Sequence, residues 1–363
     1  MAEFFACRVS GKVLADVHAA CESMKQAGPG FTKREDVETM SDDQEPNDLR
    51  DVHPSSFSHV IGQSHVTQAL KIAVEASFQE RKRMDDLLVC GPPGLGKSAL
   101  VSGVLANELA VPCTEVLAQS ITNTAELNSV LLSASEGLLF LDEIHLLHPV
   151  QQHALLQVLD KRRIFLSGGK SVQSIPVAPF TLVGATTDFD GVISPLADRF
   201  RIVLHLDYYD LTELAEIVRQ RCWVLGWEFE PALLDEIAKR GRGTPRIGLR
   251  LLQAARRVQV AKGGTVLSVN HLRRACGVER ISDLGLDNVQ QKYLHLLGNG
   301  PVRLNVLASM LGVSPKVLQK TVEPFLLRSQ MIVKTDAGLR TLTETGQIHL
   351  DDLRQVSVRN PSD

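Results

Sequence analysis

Residues 91–98 read GPPGLGKS, between the apolar run LLVC (87–90) and the stretch ALVSGVLANELA (99–110). A buried strand, a glycine-rich turn and a helix, in that order, form the setting in which a backbone cradles phosphate. Gly91, Gly94 and Gly96 let the chain turn tightly and aim N–H groups at phosphate oxygens, with the helix N-terminus adding positive partial charge. Lys97 is expected to reach the β- and γ-phosphates of ATP and Ser98 to ligate Mg²⁺, with Leu95 and Ala99 completing the loop. An ordinary junction of strand and helix needs one glycine and no lysine, so the spacing favours the phosphate cradle.

The flanking sequence extends this unit into a fold. From Phe57 to Leu206, short apolar runs alternate with helical stretches: LLVC, GLLFLDEI (137–144), FTLVGATT (180–187) and RIVLHL (201–206) are the runs. That alternation predicts a parallel α/β sheet with helices on both faces. Residues 210–280 show only three-to-four spacing of apolar residues, which predicts a small helical lid domain. From Asp287 onward, three short helical patterns precede two β-like runs around an Asp-Ala-Gly turn, the pattern of a winged helix. The expected domains are an N-terminal extension and acidic linker (1–51), a large ATPase domain (52–208), the lid (209–284), the winged helix (285–350) and a tail (351–363). Residues 1–28 carry a loosely helical pattern, and 27–51 are acidic and rich in turn-formers.

The 363 residues hold 44% hydrophobic residues, yet no apolar stretch approaches the roughly 20 residues of a membrane span. No membrane partner is expected, and the N-terminus lacks the pattern of a secretory signal, so the expected location is cytoplasmic. Six cysteines at scattered positions without a CxxC pair argue against zinc and against a disulfide framework. A net charge of −3 gives no global case for nucleic-acid binding, so any such binding needs a local patch.

Two carboxylates follow the buried run in GLLFLDEIH (137–145). Asp142 is expected to hold Mg²⁺ and Glu143 to orient and polarise the attacking water, so hydrolysis is expected and not only nucleotide binding. In TLVGATTD (181–188), Thr186 ends a third strand and is expected to hydrogen-bond the γ-phosphate or the water, although a strand-end threonine alone is more often structural. SPLADRF (194–200) supplies Arg199 as a candidate arginine finger acting on a neighbouring subunit's nucleotide, against the plain reading of a solvent-exposed arginine. Arg246, after a Gly-Thr-Pro turn, is placed to reach the γ-phosphate from the lid, the alternative being an ion pair within its helix.

Taken in order, VIGQ (60–63), GPPGLGKS, LFLDEIH (139–145), FTLVGATT, SPLADRF and GTPRI (243–247) resemble the AAA+ ATPases, and among them the RuvB family of Holliday junction branch migration motors. The resemblance covers roughly residues 52–346. It implies Lys97 and Ser98 on nucleotide and metal, Asp142 and Glu143 as the Walker B pair, and Thr186 as sensor 1. It further implies Arg199 as the finger and Arg246 as sensor 2, with Val60, Ile61, Gly62 and Gln63 beside the adenine and Tyr209 close to the nucleotide. The segment 164–180 takes the place of the hairpin that docks on a RuvA-like junction-binding protein. A homo-oligomeric ring, expected to be a hexamer around duplex or Holliday junction DNA, is likewise implied.

Two departures stand out. Ala197 replaces an arginine of the family's SPLRDRF, and the wing reads KTDAGLR (334–340) where the family resembles RTPRGR. Lys334 and Arg340 are the DNA-binding candidates that remain there, within a stretch from Arg303 to Arg340 holding six basic residues and two acidic ones. A second reading therefore stands beside the DNA motor: a regulatory or assembly ATPase whose winged helix binds protein. A nucleotide switch without turnover conflicts with the presence of both Glu143 and Arg199.

Overall fold

The computed structural model describes residues 52–134, 136–168 and 171–359. The extension expected over 1–51 lies outside them.

Five parallel strands form the central sheet: β1 (Leu87–Cys90), β2 (Cys113–Leu117), β3 (Leu138–Asp142), β6 (Thr181–Thr186) and β7 (Ile202–His205), in the order β2-β3-β6-β1-β7. β1 and β6 are buried at every position, as strands covered on both faces must be. Their side chains alternate between two cores. Leu88 and Cys90 of β1 join Leu139 and Leu141 of β3 on one face, whereas Leu87 and Val89 join Leu138 and Phe140 on the other. Because the strands are parallel, the ends of β1, β3 and β6 emerge at one edge, carrying Gly91, Asp142 and Thr186 there together.

Strands β4 (Arg163–Gly168) and β5 (Ser171–Pro176) pair antiparallel as a separate hairpin. Its turn at 169–170 is outside the described residues.

The lid comprises helices Leu211–Val224, Pro231–Gly241, Pro245–Ala261 and Val269–Glu279 around Val218, Leu233, Ile237, Leu252 and Leu272. Its first helix starts with a reciprocal cap, in which the Asp210 carboxylate accepts from Glu213 N and the Glu213 carboxylate accepts from Asp210 N. The winged helix follows, with helices Asn288–Leu297 and Leu304–Leu311, a helical stretch over 315–328 and a sheet β8-β10-β9. In that sheet β8 is Val302–Arg303, β9 is Ile332–Lys334 and β10 is Leu339–Leu342. The helix Glu344–Arg359 continues past residue 350, and Leu350, the last residue expected in the winged helix, is fully buried in its core.

Contacts tie the winged helix to the lid and to Tyr208, between β7 and the first lid helix. The Arg328 guanidinium lies 3.3 Å from the centre of the Tyr208 ring and donates to Arg242 O at 2.6 Å, and Arg242 lies 4.7 Å from the Phe325 ring. Among the described residues, no helix is long and apolar enough to cross a membrane, and no cluster of His, Cys, Asp and Glu is arranged to hold a metal.

Candidate active site

The loop after β1 is fixed at both ends. Gly91 N donates to Thr186 O at 3.1 Å, and beyond the turn Ser98 enters the helical stretch over 99–109. Gly94 and Gly96 take φ of +83° and +100°, a region that side chains disfavour. A Cβ on Gly94 would also come within 2.9 Å of the Arg246 Cβ, so this glycine admits the lid as well as the turn. Arg246 N donates to Gly94 O at 3.3 Å. Loop, lid and the segment before 64 enclose a cavity of about 500 Å³.

Lys97 is 6% exposed, and its ammonium donates to Gly91 O at 2.8 Å and Pro92 O at 3.1 Å, spanning its own loop. Burial lowers its pKa below the ordinary lysine value, and the nearby charges of Glu143 and Asp142 oppose that shift. Ser98 Oγ donates to Asp142 Oδ2 at 3.2 Å, which brings two hard oxygen ligands to one point beside the loop. Burial pushes the Cys90 thiol up to about 11, so the thiol at the base of the loop stays protonated.

Glu143 sits in a left-handed conformation, φ 54°, that turns its side chain out of the strand direction. Its Oε2 accepts from Thr187 Oγ1 at 2.8 Å and Thr187 N at 3.2 Å, with His145 Nδ1 at 3.3 Å. The residue that meets this carboxylate is therefore Thr187, the neighbour of the expected Thr186. Thr186 is fully buried, with its hydroxyl donating to Asp188 O, accepting from Asp188 N and lying 3.0 Å from His145 Nδ1. Successive residues at a strand end face opposite ways, and it is Thr187 that faces the carboxylate. The doubled threonine in GATTD was the available signal, and it left the choice between the two open.

At the other end of the cavity, Val60, Ile61 and Gln63 line the wall. Gln63 holds this segment to the exit of β7: its Nε2 donates to Asp207 O at 2.6 Å and Asp207 N donates back to its Oε1 at 3.1 Å. Gly62 lies against the Glu213 carboxylate, where a Cβ would approach within 2.7 Å. Tyr209 donates its hydroxyl to Leu95 O at 3.2 Å, and burial pushes the phenol up to about 12. Ala99 and Leu95 line the same cavity. Arg199 is elsewhere: it is half exposed, paired with Asp160 at 3.1 Å, and is not among the residues lining the chain's own cavity.

Sequence reasoning missed two cavity-lining arginines of the lid, Arg221 and Arg250. Arg221 carried a signal, because it falls on the apolar stripe of Leu214, Ile217, Val218 and Cys222, where a charge is out of place.

In the wing, both expected DNA-binding residues pair within the domain. Arg340 is 7% exposed, and its guanidinium donates to the fully buried Glu323 carboxylate at 2.8 and 3.4 Å. Lys334, its cross-strand neighbour, reaches the same carboxylate at 3.2 Å, and the Tyr293 hydroxyl donates to it at 2.9 Å. Burial alone would raise the Glu323 pKa, but these partners outweigh it and hold the group below the ordinary glutamate range. Arg340 faces the domain interior, where it and Lys334 together compensate the buried Glu323 carboxylate, so its guanidinium is already engaged within the domain.

Comparison with known proteins decides the family. Three family models match in order along the chain: the Holliday junction DNA helicase RuvB P-loop domain over 52–206, the RuvB AAA lid domain over 209–281 and the RuvB C-terminal winged helix domain over 283–351. The chain belongs to the RuvB family. It is 37% identical over 309 residues to a Holliday junction branch migration complex subunit RuvB of Synechococcus sp. (strain RCC307), covering 83% of this chain and 89% of that protein. The subunit RuvB of Prochlorococcus marinus (strain MIT 9303) is 35% identical over 325 residues, covering 87% of this chain and 92% of that one. Among solved structures, a point variant of Thermotoga maritima RuvB superimposes with a TM-score of 0.74 at 34% identity, covering 83% of this chain and 99% of that one. The expected fold is confirmed: a parallel sheet, a RuvB-type lid and a RuvB-type winged helix on one chain. RuvB is a P-loop ATPase family, so nucleotide binding and hydrolysis are the family's chemistry.

Proposed function

We propose that this RuvB-family chain is an ATP-driven DNA motor that moves branched duplexes of Holliday junction type in recombination and repair. The observation that carries the reading is the order of three RuvB domains around a site in which Glu143 is positioned by Thr187 beside Asp142, Ser98 and Lys97. Lys97 would give up its loop carbonyls for phosphate oxygens, which satisfy the ammonium better because they are charged. Ser98 and Asp142 would hold Mg²⁺, which supplies charge neutralisation on the phosphates. Glu143 would orient the water, and Arg246, already on the loop through its backbone N–H, would read the γ-phosphate from the lid.

Arg199 is solvent-accessible and off its own cavity, which supports its acting on the nucleotide of a neighbouring subunit in a ring, expected to be a hexamer. Its pairing with Asp160 is a surface contact of small energy, so it is readily exchanged for a phosphate. A RuvA-like protein would dock on the hairpin within 164–180. With Lys334 and Arg340 held by Glu323, DNA contacts would come from exposed cations such as Arg303, Lys316 and Lys320. The same internal pairing favours a second reading, an assembly ATPase whose winged helix binds protein.

ATP turnover of the full chain, measured with and without four-way junction DNA and alongside its mass in ATP and ADP, separates the two. The motor reading expects junction-stimulated turnover and a ring in ATP; indifference to DNA supports the second. Glu143→Gln should bind ATP normally and lose about 10²- to 10⁴-fold in turnover. Unchanged turnover in that variant removes Glu143 from the chemistry.

A further inference from the structure

Arg221 lies on the lid helix Leu211–Val224, is 8% exposed and lines the nucleotide cavity. Its Nε has no hydrogen-bond partner, and among the described residues no carboxylate pairs with the guanidinium. Burial, with no charged group among the causes, lowers its pKa from the ordinary arginine value. A guanidinium remains charged in proteins, so this is a buried cation without a counterion. Buried charges are otherwise paired or bound to something, because removing them from water without compensation is costly.

The neighbouring residue locates the guanidinium along the cavity. Gln220 Nε2 donates to His59 O at 3.1 Å, which seats this part of the lid helix on the segment leading into Val60 and Ile61. Ile217, one turn earlier, lines the same wall. Arg246 belongs to the opposite, phosphate end through Gly94. Val60, Ile61 and Ile217 line the same cavity as Arg221 and give a flat heteroaromatic ring an apolar surface, to which Arg221 adds a planar donor fork.

We propose that Arg221 is the base-recognition residue of this chain, donating to the acceptor nitrogens of the adenine ring. The assignment rests on the ATP reading above and adds to it the end of the nucleotide that Arg221 holds. Base recognition contributes to ground state and transition state alike, so it sets affinity and leaves the chemical step unchanged. In the free protein Arg221 is a source of instability that the ligand relieves, and this separates it from an ordinary structural arginine.

The test uses the full chain and its Arg221→Met variant, with binding of ATP and of ribose 5′-triphosphate measured by calorimetry. Arg221→Met should bind ATP at least tenfold more weakly, bind the base-free triphosphate as wild type does, and turn over at saturating ATP within twofold of wild type. Its melting temperature without nucleotide should be equal to or above that of wild type, while the rise induced by ATP shrinks. Arg221→Lys keeps the charge without the planar fork and guards against a folding failure; it should bind ATP at least threefold more weakly. Equal ATP affinity in wild type and both variants overturns the assignment. Equal losses for the two probes overturn it too, because the contact would then be to sugar or phosphate. No ATP binding by wild type overturns the ATP reading itself and the assignment with it.

Discussion

The nucleotide cavity and the winged helix both contain buried or half-buried cations, and they differ in what those cations touch. In the cavity, Lys97 rests on two neutral carbonyls of its own loop and Arg221 has no counterion among the described residues. In the wing, Arg340 and Lys334 converge on Glu323, while Arg328 stacks on Tyr208 between β7 and the first lid helix. A cation that lacks a fixed counter-charge is available to a ligand, whereas one that has it forms part of the core. Counting basic residues cannot separate these cases, because pairing depends on where a carboxylate is buried.

Breaking the wing's internal pairing gives the largest expected effect. Glu323→Ala leaves Arg340 buried beside Lys334 without compensation and should cost about 3–5 kcal/mol of winged-helix stability in urea unfolding. ATP turnover without DNA should change much less, and a parallel fall in both would erase the contrast between the two regions.

Acid sharpens the same point. The folded Glu323 pKa lies below its unfolded value, so its stabilisation is complete above the ordinary glutamate range and is lost as pH falls through the folded value. The urea midpoint of the wild-type winged helix should therefore drop steeply below about pH 4.3, and in Glu323→Gln the drop should be smaller.

In the cavity the two threonines should separate. Thr187→Val removes the hydroxyl donated to the Glu143 carboxylate at an exposed position, and should lower turnover roughly tenfold or more with little change in melting. Thr186→Val should do the reverse, since Thr186 is fully buried and its hydroxyl holds His145 and the Asp188 backbone. The smallest effect concerns DNA. Lys316→Ala and Lys320→Ala should each flatten the salt dependence of duplex binding by about 0.9 in log K against log salt, and Arg340→Met should leave that slope unchanged.

The sheet, the phosphate loop and the placement of Asp142 and Glu143 were legible because local pattern determines them: an apolar run, glycines at fixed offsets, and an acid at the end of a strand. Thr187 and the lid arginines were not, because their roles depend on which way a side chain faces after the chain has folded. The pairing of Arg340 was hidden for a related reason. KTDAGLR looks like a basic wing until Glu323, on a different element, is brought beneath it.

A single structure of the full chain bound to Mg²⁺, a non-hydrolysable ATP analogue and duplex DNA tests this contrast most directly. It should show the Lys97 ammonium moved from Gly91 O and Pro92 O to phosphate oxygens, with Arg340 still on Glu323 while other cations meet the DNA. Lys97 remaining on its loop carbonyls, or Arg340 swung out onto the DNA backbone, would contradict it.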